Sequence, residues 1–111
     1  MLLPNREEAF IDDFKLINYC LSATHDVGKH KAAVFRSALN ITAKDYMLLK
    51  NAILQAVTLN PCKEVFPGAH GRQYVMDFEF TNFDKKAVIR TFWIILLDEN
   101  FPRLTSCFVK T

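Results

Sequence analysis

The chain lacks most of the features that announce a familiar chemistry. Its three cysteines, Cys20, Cys62 and Cys107, are odd in number and widely spaced, with no CxxC pair. This argues against a disulfide framework or a zinc ribbon and fits a reducing compartment. The three histidines and three cysteines form no cluster at metal-ligand spacing. GxGxxG, Walker-type and GxSxG motifs are absent. The longest apolar run, Phe92 to Leu97, is too short to span a bilayer. At the N-terminus two leucines are followed at once by Pro4 and charges, which is not a signal-peptide layout. An excess of charge is missing too: 14 basic against 12 acidic residues leave +2, too little to argue by itself for a polyanionic partner. The expectation is a soluble cytoplasmic protein with no metal, cofactor or membrane partner, or an effector segment delivered to a target-cell cytoplasm.

What is present is apolar bulk. Half of the 111 residues are hydrophobic and ten are Phe, ample for one core in one domain over residues 1–111. Disorder does not fit that composition. No repeat, low-complexity tract or linker interrupts the chain.

The first half has helical texture. Asp12 and Asp13 open a helix expected over Phe14–Leu21, with Phe14, Ile17 and Leu21 inward. A second helix is expected from Val27 to Leu39. Thr42 to Asp45 has the shape of a capping box, opening a third helix to about Val57 with Tyr46, Leu49, Ile53, Ala56 and Val57 on one face. After Asn60-Pro61 the period changes to two. Tyr74, Met76, Phe78 and Phe80 alternate with polar positions, Val88–Leu97 is apolar on both faces, and Leu104–Val109 forms a last strand. Glu64–Phe66 supplies another strand, Ala9–Ile11 a short edge piece, and Pro67–Gly71 a flexible loop. Helices followed by an antiparallel meander give an α+β fold, with N-terminal helices packed on one face of a curved sheet of about four strands.

Three polar positions break these patterns. Lys31 falls inside the apolar stripe of the second helix, between Val27, Val34, Phe35, Ala38 and Leu39. Held there near His25 and His30, its ammonium must find an anion, snorkel to water or lose its charge. Arg90 shares a face of the central strand with Val88, Phe92, Ile94 and Leu96, whereas Thr91 shares the other with Ile89, Trp93 and Ile95. A guanidinium cannot be neutralised, so Arg90 needs a partner. In the last strand, strict alternation puts Arg103, Thr105 and Cys107 on one face and Leu104, Ser106 and Phe108 on the other.

His25, Lys31, Arg90 and Thr105 form a set suited to metal-free phosphodiester cleavage. The histidine would take the 2′-hydroxyl proton of RNA, the two cations would stabilise charge on phosphorus, and Thr105 would hydrogen-bond a phosphate oxygen. Gly28, His30, Thr91 and Arg103 would contact the substrate. Plainer readings stand beside these. Lys31 snorkels, Arg90 pairs with Asp77 or Glu79 on a neighbouring strand, His25 sits near a helix N-cap, and Thr105 is an ordinary strand residue.

The stretch Lys15–Leu21, then His25-Asp-Val-Gly28-Lys-His-Lys31-Ala32 and Phe35, resembles a group of small uncharacterised bacterial domains with the pattern KLxxYxL…HPxGxxKAxxF. The group's later RTxW and PRLxT pieces match Arg90-Thr91-Phe92-Trp93 and Pro102-Arg103-Leu104-Thr105, and Asp26 stands where the pattern has proline. The layout is similar to the barnase–EndoU–colicin–RelE-like nuclease toxins. That resemblance implies N-terminal helices on a four-stranded sheet, with a site built on His25, Lys31, Arg90 and Thr105. The expected function is therefore a small metal-independent ribonuclease-like toxin, acting on RNA and held in check by a cognate antitoxin or immunity protein. The alternative is a non-catalytic module that binds a protein, itself an antitoxin, immunity or accessory domain. Oligomeric state stays open.

Overall fold

The computed structural model describes residues 1–111. Three helical segments precede a four-stranded antiparallel meander, giving the α+β architecture expected. The first segment, α1, covers Asp13–Lys15 and continues into a π-helical turn over Leu16–Cys20. Asp12 caps it, its carboxylate accepting from the Phe14 amide at 2.9 Å. The π turn closes with the Leu21 amide donating to the Leu16 carbonyl, five residues back. The extra residue rotates the inward face, so Leu16, Cys20 and Leu21 are buried while Phe14 is 71% exposed. The expected Phe14–Ile17–Leu21 stripe is thereby corrected.

Helix α2 spans Lys29–Leu39 and buries Ala32, Phe35 and Leu39. Val27 lies outside it, exposed in the preceding loop, so this helix starts two residues later than expected. Asn40 ends α2 in the left-handed region at φ 54°, and the Asn82 side chain donates to the Leu39 carbonyl at 2.7 Å. Thr42 and Asp45 do form a capping box around a 3-10 turn over Ala43–Asp45. It leads into α3, Tyr46–Leu59, which buries Leu49, Ile53, Ala56 and Val57.

The sheet order is β1-β2-β3-β4, with β1 at Lys63–Gly68, β2 at Gly71–Asn82, β3 at Lys85–Leu96 and β4 at Arg103–Lys110. Strands β2 and β3 pair without interruption from Gly71↔Leu96 to Asn82↔Lys85. Their two-residue turn puts Phe83 at φ 56°, as tight hairpin turns demand of a central residue. The expected Pro67–Gly71 loop is instead a tight turn at Ala69 and His70, because β1 extends through Pro67 to Gly68. The β1 register slips between Val65 and Gly68. The Ala9–Ile11 piece makes a single parallel bridge, Phe10↔Arg103, rather than a strand.

Strict alternation fails in β4. The pairing steps from Phe92↔Ser106 to Trp93↔Leu104, leaving Thr105 as a bulged extra residue. Leu104, Cys107 and Val109 all turn inward and are buried, and Arg103, Ser106 and Phe108 share the opposite face. That face also carries Val75, Asp77, Arg90, Phe92 and Ile94, while the helices pack on the other.

The core's one buried polar side chain among the strands is Thr91, fully buried. Its hydroxyl donates to the Met76 carbonyl at 2.7 Å and accepts from the Trp93 indole N–H at 2.8 Å. Thr91 therefore serves the core, and its expected substrate contact is withdrawn. Thr91→Val keeps the shape but orphans a buried indole N–H. It is expected to cost about 1–3 kcal/mol in urea unfolding, with most of that recovered by Thr91→Ser.

Candidate functional site

The expected site residues fall into two groups along β4. The first lies where the π turn meets the start of α2. His25 is an acceptor there: its Nδ1 takes the amide N–H groups of Val27 and Gly28, each at 3.0 Å. Its carbonyl accepts the Lys29 amide at 2.9 Å. The ring thus satisfies donors that the first turn of a helix otherwise leaves unpaired. With the Nδ1 lone pair occupied by these two amides, the neutral form of the ring has Nε2 as its donor. Gly28 is buried against the Tyr19 carbonyl, and any Cβ at that position would collide with it. Its role is close packing, in place of the substrate contact expected.

Tyr19 links His25 to Lys31. The Tyr19 and His25 rings meet edge to face with centroids 5.0 Å apart. The Lys31 ammonium is 3.5 Å from the Tyr19 hydroxyl and 5.5 Å from the Tyr19 ring centre. On its other side it lies 5.4 Å from the Phe108 ring centre. No carboxylate pairs with it, so two aromatic faces and partial exposure hold the charge. His30 is exposed beside it, on a shallow cavity of about 220 Å³ shared with Val34, Phe108 and Val109.

Cys20 and Cys107 are both buried free thiols. The Cys107 group, with the charges of Lys31 and Lys15, lowers Cys20 to about 7 against the opposing effect of burial. The Cys20 group and burial push Cys107 up.

Arg90 stands on the uncovered face directly opposite Asp77. Its Nε and Nη2 donate to the two Asp77 oxygens, both at 2.9 Å, and Lys110 approaches the same carboxylate at 3.6 Å. The ion pair with Asp77, one of the two plainer partners named for Arg90, is therefore present. Arg90's hydrogen bonds, foremost, and the charges of Arg90 and Lys110 hold the Asp77 carboxyl below its ordinary range. The pair borders an open cavity of about 530 Å³ with Lys63, Val65 and Val75. Phe108 faces Arg90 across the β3–β4 ladder and stacks on Phe92 at 5.6 Å.

Arg103 and Thr105 lie toward the start of β4. Arg103 donates through Nε and Nη2 to both Glu99 oxygens at 2.7 Å, with the rings of Phe10 and Phe101 centred 5.1 and 4.8 Å from its guanidinium carbon. Thr105 donates from its hydroxyl to the Phe92 carbonyl at 3.2 Å and borders a cavity of about 270 Å³ with Phe10, Asp12 and Lys15. The fold therefore joins His25 to Lys31 through Tyr19, whereas Arg90, paired with Phe108 across the ladder, borders a separate cavity from the one beside Lys31. Thr105 and Arg103 occupy a different cavity from the one beside Lys31. The ring of Phe108 was not foreseen, because the bulge reverses its face. Tyr19 stood in the resemblance motif with no role assigned to it.

Two outcomes are expected. His25→Ala removes the acceptor of two helix-start amides and lowers unfolding stability by about 1 kcal/mol. Asp77 has a lowered native titration, so the stabilisation from its charge is full above the unfolded Asp value of about 3.9 and is lost as pH falls through the native one. Arg90→Gln should move the Asp77 carboxyl resonance upward in an NMR titration and shift acid unfolding correspondingly.

No helix is long and apolar enough to cross a membrane, and no group of His, Cys, Asp and Glu is placed to hold a metal ion. No curated protein and no solved structure matches the chain. The profile of a domain of unknown function, DUF6883, matches residues 2–111. This supports the small uncharacterised domain in the resemblance and adds nothing to the nuclease-toxin part. With essentially its whole length covered by that profile, the chain belongs to the DUF6883 family.

Proposed function

We propose that this domain binds single-stranded RNA on the uncovered face of its sheet. One observation carries the reading: the ring of Phe108, stacked on Phe92, has the Lys31 ammonium against it and Arg90 across the ladder from it. Both rings are partly exposed, and accessible rings offer sequence-tolerant platforms for unpaired bases, worth about 1–3 kcal/mol per stacked base. On this face Arg90 and Lys110 share the Asp77 carboxylate, Lys86 pairs with Glu79, and Lys31 at the Phe108 ring has no carboxylate partner. Cations therefore outnumber carboxylates, and the local field favours a polyanion although the whole chain is nearly neutral.

Binding without turnover is the version that the side-chain chemistry favours. Transesterification needs a base for the 2′-hydroxyl, and the unprotonated nitrogen of His25 already accepts two amides. Arg90 is engaged on both edges of a carboxylate, so substrate phosphate would have to displace Asp77 to recruit it fully.

The test is fluorescence anisotropy with a labelled uridine-rich RNA in EDTA, followed by gel and end-group analysis. The expected result is salt-dependent binding with intact RNA. Phe108→Ala should weaken binding about tenfold, and Lys31→Ala should lower the salt slope by about one. Absence of binding, or affinity unchanged in Phe108→Ala, would overturn the proposal and direct attention to a protein partner. Cleavage to cyclic-phosphate ends, lost in both His25→Ala and Arg90→Ala, would instead establish the catalytic reading.

A further inference from the structure

A second basic feature lies in the helical layer, away from the sheet face. The outer side of α2 carries Lys29 and Arg36, seven residues and so about 10 Å apart along the axis. Between them Ala32 and Ala33 leave the helix surface low. The 3-10 turn after Thr42 brings Ala43 and Lys44 across from it, and Leu21 closes one end. Together they line a groove of about 360 Å³. No carboxylate lines it, and none of the ion pairs in the structure includes Lys29, Arg36 or Lys44. The neighbouring carboxylate of Asp45 is engaged by the Thr42 amide and hydroxyl, at 3.0 and 3.2 Å.

Three unpaired cations around one concavity repel one another, and that repulsion is relieved by a bound anion. Their separation along α2 is too wide for one phosphate and suits a chain of two or three. The floor is small and apolar, and the volume is at the lower end of that of small-molecule sites. From these features we infer that the groove binds a nucleoside polyphosphate, with Lys29, Arg36 and Lys44 on the phosphates and the nucleoside lying over Ala32, Ala33 and Ala43. The inference does not rest on the RNA reading, since it uses other residues on another layer of the domain.

The experiment is isothermal titration calorimetry on the full chain, with ATP, inorganic tripolyphosphate and a uridine-rich RNA as probes. ATP should bind, with affinity falling about tenfold in Arg36→Gln and in Lys44→Gln. Ala33→Leu, an exposed helix position where folding is not at risk, should weaken ATP more than tripolyphosphate by filling the floor. Phe108→Ala should leave ATP binding unchanged while impairing RNA binding, so either proposal can fail alone. No heat with ATP, equal affinity for ATP and tripolyphosphate, or indifference to Arg36→Gln would each overturn the assignment. So would loss of RNA binding in Arg36→Gln with ATP still bound, because the groove would then be a backbone contact for RNA.

Discussion

The long β2–β3 ladder is the constraint on which the other features depend. Twelve consecutive pairs without a slip fix which side chains of two strands stand opposite each other. Because side chains alternate with period two, a shift of one residue would exchange the faces of both strands. The ladder sets Thr91 beside Met76, where its hydroxyl closes the Met76 carbonyl and receives the Trp93 indole. One position along, the same ladder sets Arg90 opposite Asp77. A buried hydroxyl bridge and a half-exposed ion pair thus sit on opposite faces of adjacent residues, and each is incompatible with the slipped register.

The second organising element is the bulge at Thr105. Without it, Leu104 and Cys107 could not both face the helices. By taking up one residue, the strand buries both and swings Ser106 and Phe108 outward toward Arg90 and Phe92. The bulge therefore assembles the aromatic pair and places a ring where α2 can set Lys31 against it. The π turn in the helical layer does a parallel job, since it turns Cys20 into the core and leaves Tyr19 between His25 and Lys31.

Much of this was legible from residue spacing. Alternation from Tyr74 to Phe80 and the Thr42–Asp45 box identified β2 and the start of α3 because both signals are local. Arg90 could be matched to Asp77 or Glu79 for the same reason: a charge on a central strand has few neighbours. The misplaced faces share one cause. Counting by 2 or by 3.6 assumes an unbroken period, and neither the bulge at Thr105 nor the π turn at Leu16–Cys20 carries a glycine or proline to announce it. Phe14 and Phe108 were consequently placed on the wrong faces. Lys31 was correctly singled out as anomalous, but the two rings that hold it come from segments whose phase those irregularities reset.

The edges of the sheet explain how such an open face is carried safely. Strand β1 leaves one side of its backbone unpaired, yet its register is broken after Val65, and Pro67 contributes no N–H. At the opposite edge, Phe10 occupies the beginning of β4 by accepting the Leu104 amide and donating to the Pro102 carbonyl. Another chain arriving strand-first meets no continuous row of donors and acceptors on β1, and on β4 it finds the first positions already taken. Polymerisation by strand addition is thereby discouraged at both ends of the sheet, even though one of its faces carries no helix.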